Sequence, residues 1–191
     1  METNDQRPLH RQALDLASGY VSRIGAADLD RPTPCTDWDL GALLAHMVGQ
    51  HVGFAAAIRD GDAPRERYAP VPFDQPAWQA SVDQLLEAFA TADLSASVLE
   101  VELHPTKALP VPTVIGAQLL DTVVHTWDVA RGMGEQFTPG EELVQAVLAI
   151  AEQIPDNEQR EAPGAAFAHA VPSPGAPWER ALALLGRDLA A

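Results

Sequence analysis

Two side chains able to share a metal ion stand four residues apart in the stretch Gly116–Gly132: Asp121 and His125. In a helix of 3.6 residues per turn they lie on one face, one turn apart. A carboxylate oxygen and an imidazole nitrogen so placed can bind the same divalent cation. The spacing alone is common. Asp128 falls on the same stripe, however, and a second helical histidine, His46, occurs in an earlier segment. Leu119, Leu120, Val123, Trp127 and Ala130 centre on the opposite side. Two readings stand. Either the stripe is the wet face of an amphipathic helix, or it lines a cavity inside the protein. The flanking Ala117, Val124 and Val129, and the lack of Lys and Glu from 116 to 132, are what a buried helix would show.

Cys35 is the single cysteine, which excludes an internal disulfide and a Cys-based zinc cluster. It precedes a helix start, where a nucleophilic thiol could sit if a base or helix terminus were near. The competing reading is a packed structural thiol.

The elements that must position these residues are mostly helical. The chain has 191 residues, 47% apolar and 20% charged, enough for one domain with a substantial core. Its net charge is −15, from 12 Lys+Arg against 27 Asp+Glu, without a basic stripe, so no nucleic-acid partner is expected. The sequence shows no run of 18 apolar residues and no signal-peptide pattern, so no membrane partner and a cytoplasmic location are the expectation.

Leu9, Ala13, Leu16, Tyr20 and Ile24 predict a first helix over residues 9–24, with His10 on its exposed side. Pro32 and Pro34 enforce a loop. Thr36 and Asp39 then read as a capping box opening a helix over 37–60, with Trp38 as its hydrophobic anchor. On that helix His46 shares a face with Ala42, Gln50, Gly53 and Ala57, while His51 points away. Gly49 and Gly53 each cost about 1 kcal/mol in a helix interior, which implies close packing or a cavity there. A Pro-rich loop at 61–76 and a helix over 75–91 follow. Short extended segments lie between Asp93 and Pro112, where three prolines exclude a helix and His104 reads as a loop residue. The central helix is expected from Thr113, another from Glu141 to Ile154, and a short last one from Pro177. The expected organisation is a bundle at 1–155 with a wrapping extension at 156–191, both in one domain.

Three stretches carry a resemblance to the DinB/YfiT-like superfamily, in its maleylpyruvate isomerase-like branch. They are Thr33–His46, Leu120–Arg131 and Arg180–Asp188, and the likeness spans nearly the whole chain. The resemblance implies an all-α, DinB-like four-helix bundle with an irregular C-terminal extension. It implies a metal held by His46, Asp121 and His125. The isomerase's acid is Glu, one methylene longer than Asp121, so metal identity or geometry can differ. Zn²⁺ suits two histidines, a carboxylate and an open position; Ni²⁺ and Fe²⁺ are alternatives.

Gln50 and Asp128 stand where either could orient a ligand histidine, surface capping or packing being the alternatives. Arg131 could meet an anionic substrate or simply favour the negative end of its helix. The resemblance further implies a small-molecule thiol, mycothiol, at the open metal position, its pKa lowered so that the thiolate attacks an electrophilic substrate. The outcome would be isomerisation or S-transfer. A metal-dependent hydrolase using bound water and a non-catalytic metal- or small-molecule-binding bundle are the alternatives. The second- and fourth-helix faces could also serve a homodimer.

Overall fold

Pro8 and Pro112 each sit in the first turn of a helix, where the missing N–H has no partner to lose. The computed structural model describes residues 5–35, 37–162, 165–173 and 175–189, and the chain divides into two compact units, Met1–Gln136 and Phe137–Ala191. The first contains α1 (Arg7–Val21), α2 (Leu40–Asp60), α3 (Gln75–Thr91) and α4 (Val111–Gly132). A two-residue antiparallel pair, β1 (Ser97–Val98) with β2 (Leu109–Pro110), precedes α4. α1 and α2 each pack on α3 and on α4, the arrangement of a four-helix bundle. Leu14, Leu43, Leu44, Leu85, Phe89 and Ile115 fill its core.

Burial on α4 decides between the two readings of its polar stripe. Of its 22 residues, only Pro112, Thr113, Ala117, Asp121 and Arg131 escape full burial. His125 and Asp128 therefore face protein. The helix also starts earlier than Thr113, because Pro112 is tolerated inside the first turn.

Two expectations are corrected in α1 and α2. The inward stripe of α1 is His10, Ala13, Leu14, Ala17 and Val21, an i, i+3, i+4, i+7 series. His10 is thus buried, and Leu16 is 36% exposed. A polar residue assumed to face water had shifted the expected stripe. In α2 the N-cap is Asp39, whose carboxylate accepts from the Ala42 amide at 2.8 Å; Thr36 of the expected capping box lies outside the described residues. Leu40 and Gly41 give their amides to the Arg31 and Leu29 carbonyls of the preceding loop, so the free amides of the first turn find partners.

The glycines of α2 mark close packing. A Cβ on Gly53 would fall 2.2 Å from the Tyr68 ring, and one on Gly49 would fall 2.5 Å from the Ala69 carbonyl. The loop after α2 lies on this face, and the Val71 amide donates to the Ala45 carbonyl at 3.0 Å. By length and composition α2 could also cross a membrane, with mean hydropathy 1.3 over 18 residues. Of that window 67% is buried inside the protein, as in any core helix.

The second unit holds α5 (Glu141–Ala151) and α6 (Pro177–Leu184), which pack together. Leu143, Val147, Ala181 and Leu182 are its buried apolar residues, and Phe137 meets Trp178 edge-on at 6.1 Å. α5 stops at Ala151, three residues before the Ile154 expected from periodicity. Arg160 ties the irregular segment together by donating to the carbonyls of Pro155, Ala168 and Leu184.

Substituting Gly53→Ala tests the packing directly. Helix propensity favours alanine by about 1 kcal/mol, whereas overpacking against a ring costs about 1–3 kcal/mol. The expected result of denaturant unfolding is a net loss of stability; a gain would mean that Tyr68 yields freely.

Candidate metal centre

Because α2 packs on α4, His46 reaches the side of α4 that carries Asp121 and His125. One ligand atom from each of the three lies within 4.8 Å of the other two. The two imidazoles meet edge-on, with centroids 5.2 Å apart and planes at 81°. His125 Nε2 is 3.4 Å from Asp121 Oδ1. Asp121 is partly exposed, whereas His125 is buried.

On the other side of the His125 ring, Nδ1–H donates to Asp128 Oδ2 at 2.9 Å. A carboxylate can only accept, so Nδ1 carries the hydrogen and Nε2 is the atom presented to Asp121 and His46. This is how metal-ligating histidines are commonly oriented. Asp128 is 0% exposed, and its Oδ2 also accepts from the Cys35 thiol at 3.3 Å. Cys35, His125 and Asp128 form a second group within 4.8 Å. It overlaps the first at His125. The Trp38 ring lies 4.5 Å from the His46 ring and 6.2 Å from that of His125. Trp38 also borders a surface groove of about 250 Å³ lined by Asp30, Asp37 and Asp39.

The charges follow from these contacts. Burial pushes the His46 imidazole down to about 4, so it is neutral, the form that binds metal. Burial alone would also depress His125, but the carboxylates of Asp121 and Asp128 outweigh it and hold the ring well above its ordinary value. Burial raises the Asp121 carboxyl, and the facing His125 more than reverses this. Without metal, Asp121 and His125 therefore form an internal ion pair. Two imidazoles and a carboxylate this close suit a divalent first-row metal that releases the His125 proton on binding.

Of the other residues singled out from sequence, Asp128 bonds His125 directly. Gln50 is buried one turn beyond His46, and no hydrogen bond links it to the three ligand candidates among the described residues. Arg131 lies over the Trp127 ring, 5.9 Å from its centroid. The packing of Trp38 on His46 and the link from Cys35 to Asp128 were not foreseen. The Pro-Cys-Thr-Asp-Trp loop was the available signal, since a bulky ring and a thiol just ahead of a histidine-bearing helix are placed near that histidine by chain connectivity.

This architecture is the all-α, DinB-like helical bundle. Residues 10–130 match the family described as mycothiol maleylpyruvate isomerase N-terminal domain, and the chain belongs to that family. Similar proteins are the Uncharacterized protein Rv0738 and the Uncharacterized protein MT0763, from two strains of Mycobacterium tuberculosis. Each is 28% identical over 190 residues, covering 94% of this chain and 96% of its own. The fold is also that of the crystal structure of a histidine-to-alanine mutant of the mycothiol-dependent maleylpyruvate isomerase. That likeness has a TM-score of 0.59 at 15% identity and covers 80% of this chain and 70% of the other.

The buried histidines set a pH profile for the metal-free protein. Burial depresses His10, His46 and His51 to about 4, 4 and 3, whereas in the unfolded chain each takes its proton near 6.5. Between about pH 6.5 and about pH 4 the unfolded state binds more protons. Stability therefore falls with acidification there, by up to about 1.4 kcal/mol per pH unit for each imidazole. Above about pH 6.5 the sign reverses, because folded His125 keeps a proton that the unfolded chain has released. Denaturant melts of chelator-treated protein are expected to show a maximum near neutral pH. A profile flat through the acid window would show that these imidazoles are hydrated.

Proposed function

We propose that the chain is a metal-dependent enzyme that uses a low-molecular-weight thiol, mycothiol as in the relative of known fold, on a small electrophilic molecule, with isomerisation or S-transfer as the outcome. The observation that carries this reading is the convergence of His46, Asp121 and His125, with Asp128 behind His125. Membership of the mycothiol maleylpyruvate isomerase family supports the choice of thiol and of a small-molecule substrate.

His46 Nδ1 or Nε2, an Asp121 oxygen and His125 Nε2 would hold the metal, with Zn²⁺ the best match to this donor set and Ni²⁺ or Fe²⁺ the alternatives. When bound, a divalent cation supplies Lewis acidity that lowers a thiol pKa enough for the thiolate to form near neutral pH. Asp128 keeps the His125 ring in the tautomer and orientation that present Nε2. Trp38 covers one side of His46 and limits water there. The chain then needs few acid–base residues of its own.

Elemental analysis of protein purified without chelating resin is expected to find one divalent metal per chain. His46→Ala and His125→Ala should lose it, and unchanged metal content in both would end this reading. Asp128→Ala is expected to weaken metal affinity by about 10–100-fold in chelator competition. Turnover of electrophiles only when a thiol is added supports thiol chemistry, whereas thiol-independent turnover would mark a hydrolase.

A further inference from the structure

A thiol reaches the neighbourhood of the ligand trio from one place. Cys35 is the single cysteine of the chain, and its Sγ lies 3.3 Å from Asp128 Oδ2. That same oxygen is 2.9 Å from His125 Nδ1. One donor atom from each of Cys35, His125 and Asp128 lies within 4.8 Å of the other two. Around a tetrahedral cation with bonds of about 2.3 Å to sulfur and about 2.0–2.2 Å to nitrogen and oxygen, donors stand roughly 3.3–3.7 Å apart. Small side-chain adjustments therefore suffice to close all three on one ion.

The surroundings hold these donors in place. Asp128 is 0% and His125 8% exposed, and both belong to α4. The loop that carries the sulfur is tied to itself. The Cys35 amide donates to the Thr33 hydroxyl at 3.2 Å, that hydroxyl donates to the Trp38 carbonyl at 2.8 Å, and the Trp38 amide donates to the Cys35 carbonyl at 2.7 Å. Cys35 is only partly buried, so the group is reached from solvent at its sulfur end.

We infer that Cys35, His125 and Asp128 form a second cation site, suited to a thiophilic d¹⁰ ion such as Cu⁺ or Cd²⁺, and that this site and the His46–Asp121–His125 site exclude one another. The sulfur donor sets the selectivity, since thiolate favours soft cations while two imidazoles and a carboxylate favour borderline ones. Exclusion follows from the shared ring. A metal on the trio takes His125 Nε2 and leaves Nδ1–H on Asp128. A metal beside Asp128 takes Nδ1 and leaves Nε2–H facing Asp121 Oδ1, 3.4 Å away. A neutral imidazole offers one lone pair, so it serves one ion at a time. A thiophilic ion on Cys35 thus blocks the trio. That consequence rests on the metal reading of the trio; the second site itself does not.

Cadmium is the probe, because a Cd²⁺–thiolate bond absorbs in the ultraviolet and the chain has no other thiol. The full-length His46→Ala chain, reduced and stripped of metal, is titrated with Cd²⁺; should it not fold, Asp121→Asn serves in its place. The expected result is one ion per chain, with a thiolate-to-cadmium band that saturates at one equivalent. Long-range ¹H–¹⁵N spectra of the complex should show His125 with metal on Nδ1 and hydrogen on Nε2. A missing band, or a His125 ring that is untouched or metallated on Nε2, would overturn the site. The wild-type chain should bind one Cd²⁺ tightly, and two would overturn the exclusion. Loss of zinc from His46→Ala bears on the trio alone, so the two readings fail separately.

Discussion

A carboxylate held in the dry interior beside α4 is the constraint on which the rest depends. Taking an ion such as Asp128 out of water costs several kcal/mol unless hydrogen bonds replace its hydration. Its donors include the His125 imidazole one turn back on α4 and the Cys35 thiol from the loop before α2. Satisfying the charge therefore fixes the loop against the helix, and fixing the loop settles where Trp38 lies on His46. The same bond determines which nitrogen of His125 faces the ligand trio. Fold and site share one electrostatic requirement, so a change at Asp128 would be felt in both.

How legible this was in the sequence depended on which physical signal each residue carries. The i, i+4 spacing of Asp121 and His125 is a local geometric fact, and it holds for any helix. Burial of their face was less certain, but the missing Lys and Glu across 116–132 already pointed inward. That His46 would meet them came from the family resemblance, because helix pairing leaves no mark in the spacing of a single helix. The α3 boundaries agreed with expectation, Gln75–Thr91, where an Asp74 cap and a regular apolar stripe coincide.

His10 was misjudged because pattern reading treats an imidazole as a surface group. In the structure it belongs to the buried stripe, with its ring 4.6 Å from that of Phe89. The glycines of α2 were ambiguous for another reason. A missing Cβ says that something approaches closely but not what, and the occupant, Tyr68, comes from a loop whose path periodicity does not encode. Polar positions inside a bundle are in general the hardest to place, since their stability rests on partners from other helices.

The backbone at the start of α2 carries a consequence for what can approach the site from that end. The amides of Leu40 and Gly41 are spent on loop carbonyls, that of Ala42 on the Asp39 carboxylate, and that of Leu43 on the Asp39 carbonyl. A helix beginning ordinarily welcomes oxyanions through such groups. Among the described residues, an arriving phosphate or carboxylate would meet no vacant N–H in the first turn of α2, and the neighbouring groove is lined by the carboxylates of Asp30, Asp37 and Asp39. Any negatively charged guest must be greeted by side chains elsewhere, and this approach favours uncharged or cationic molecules.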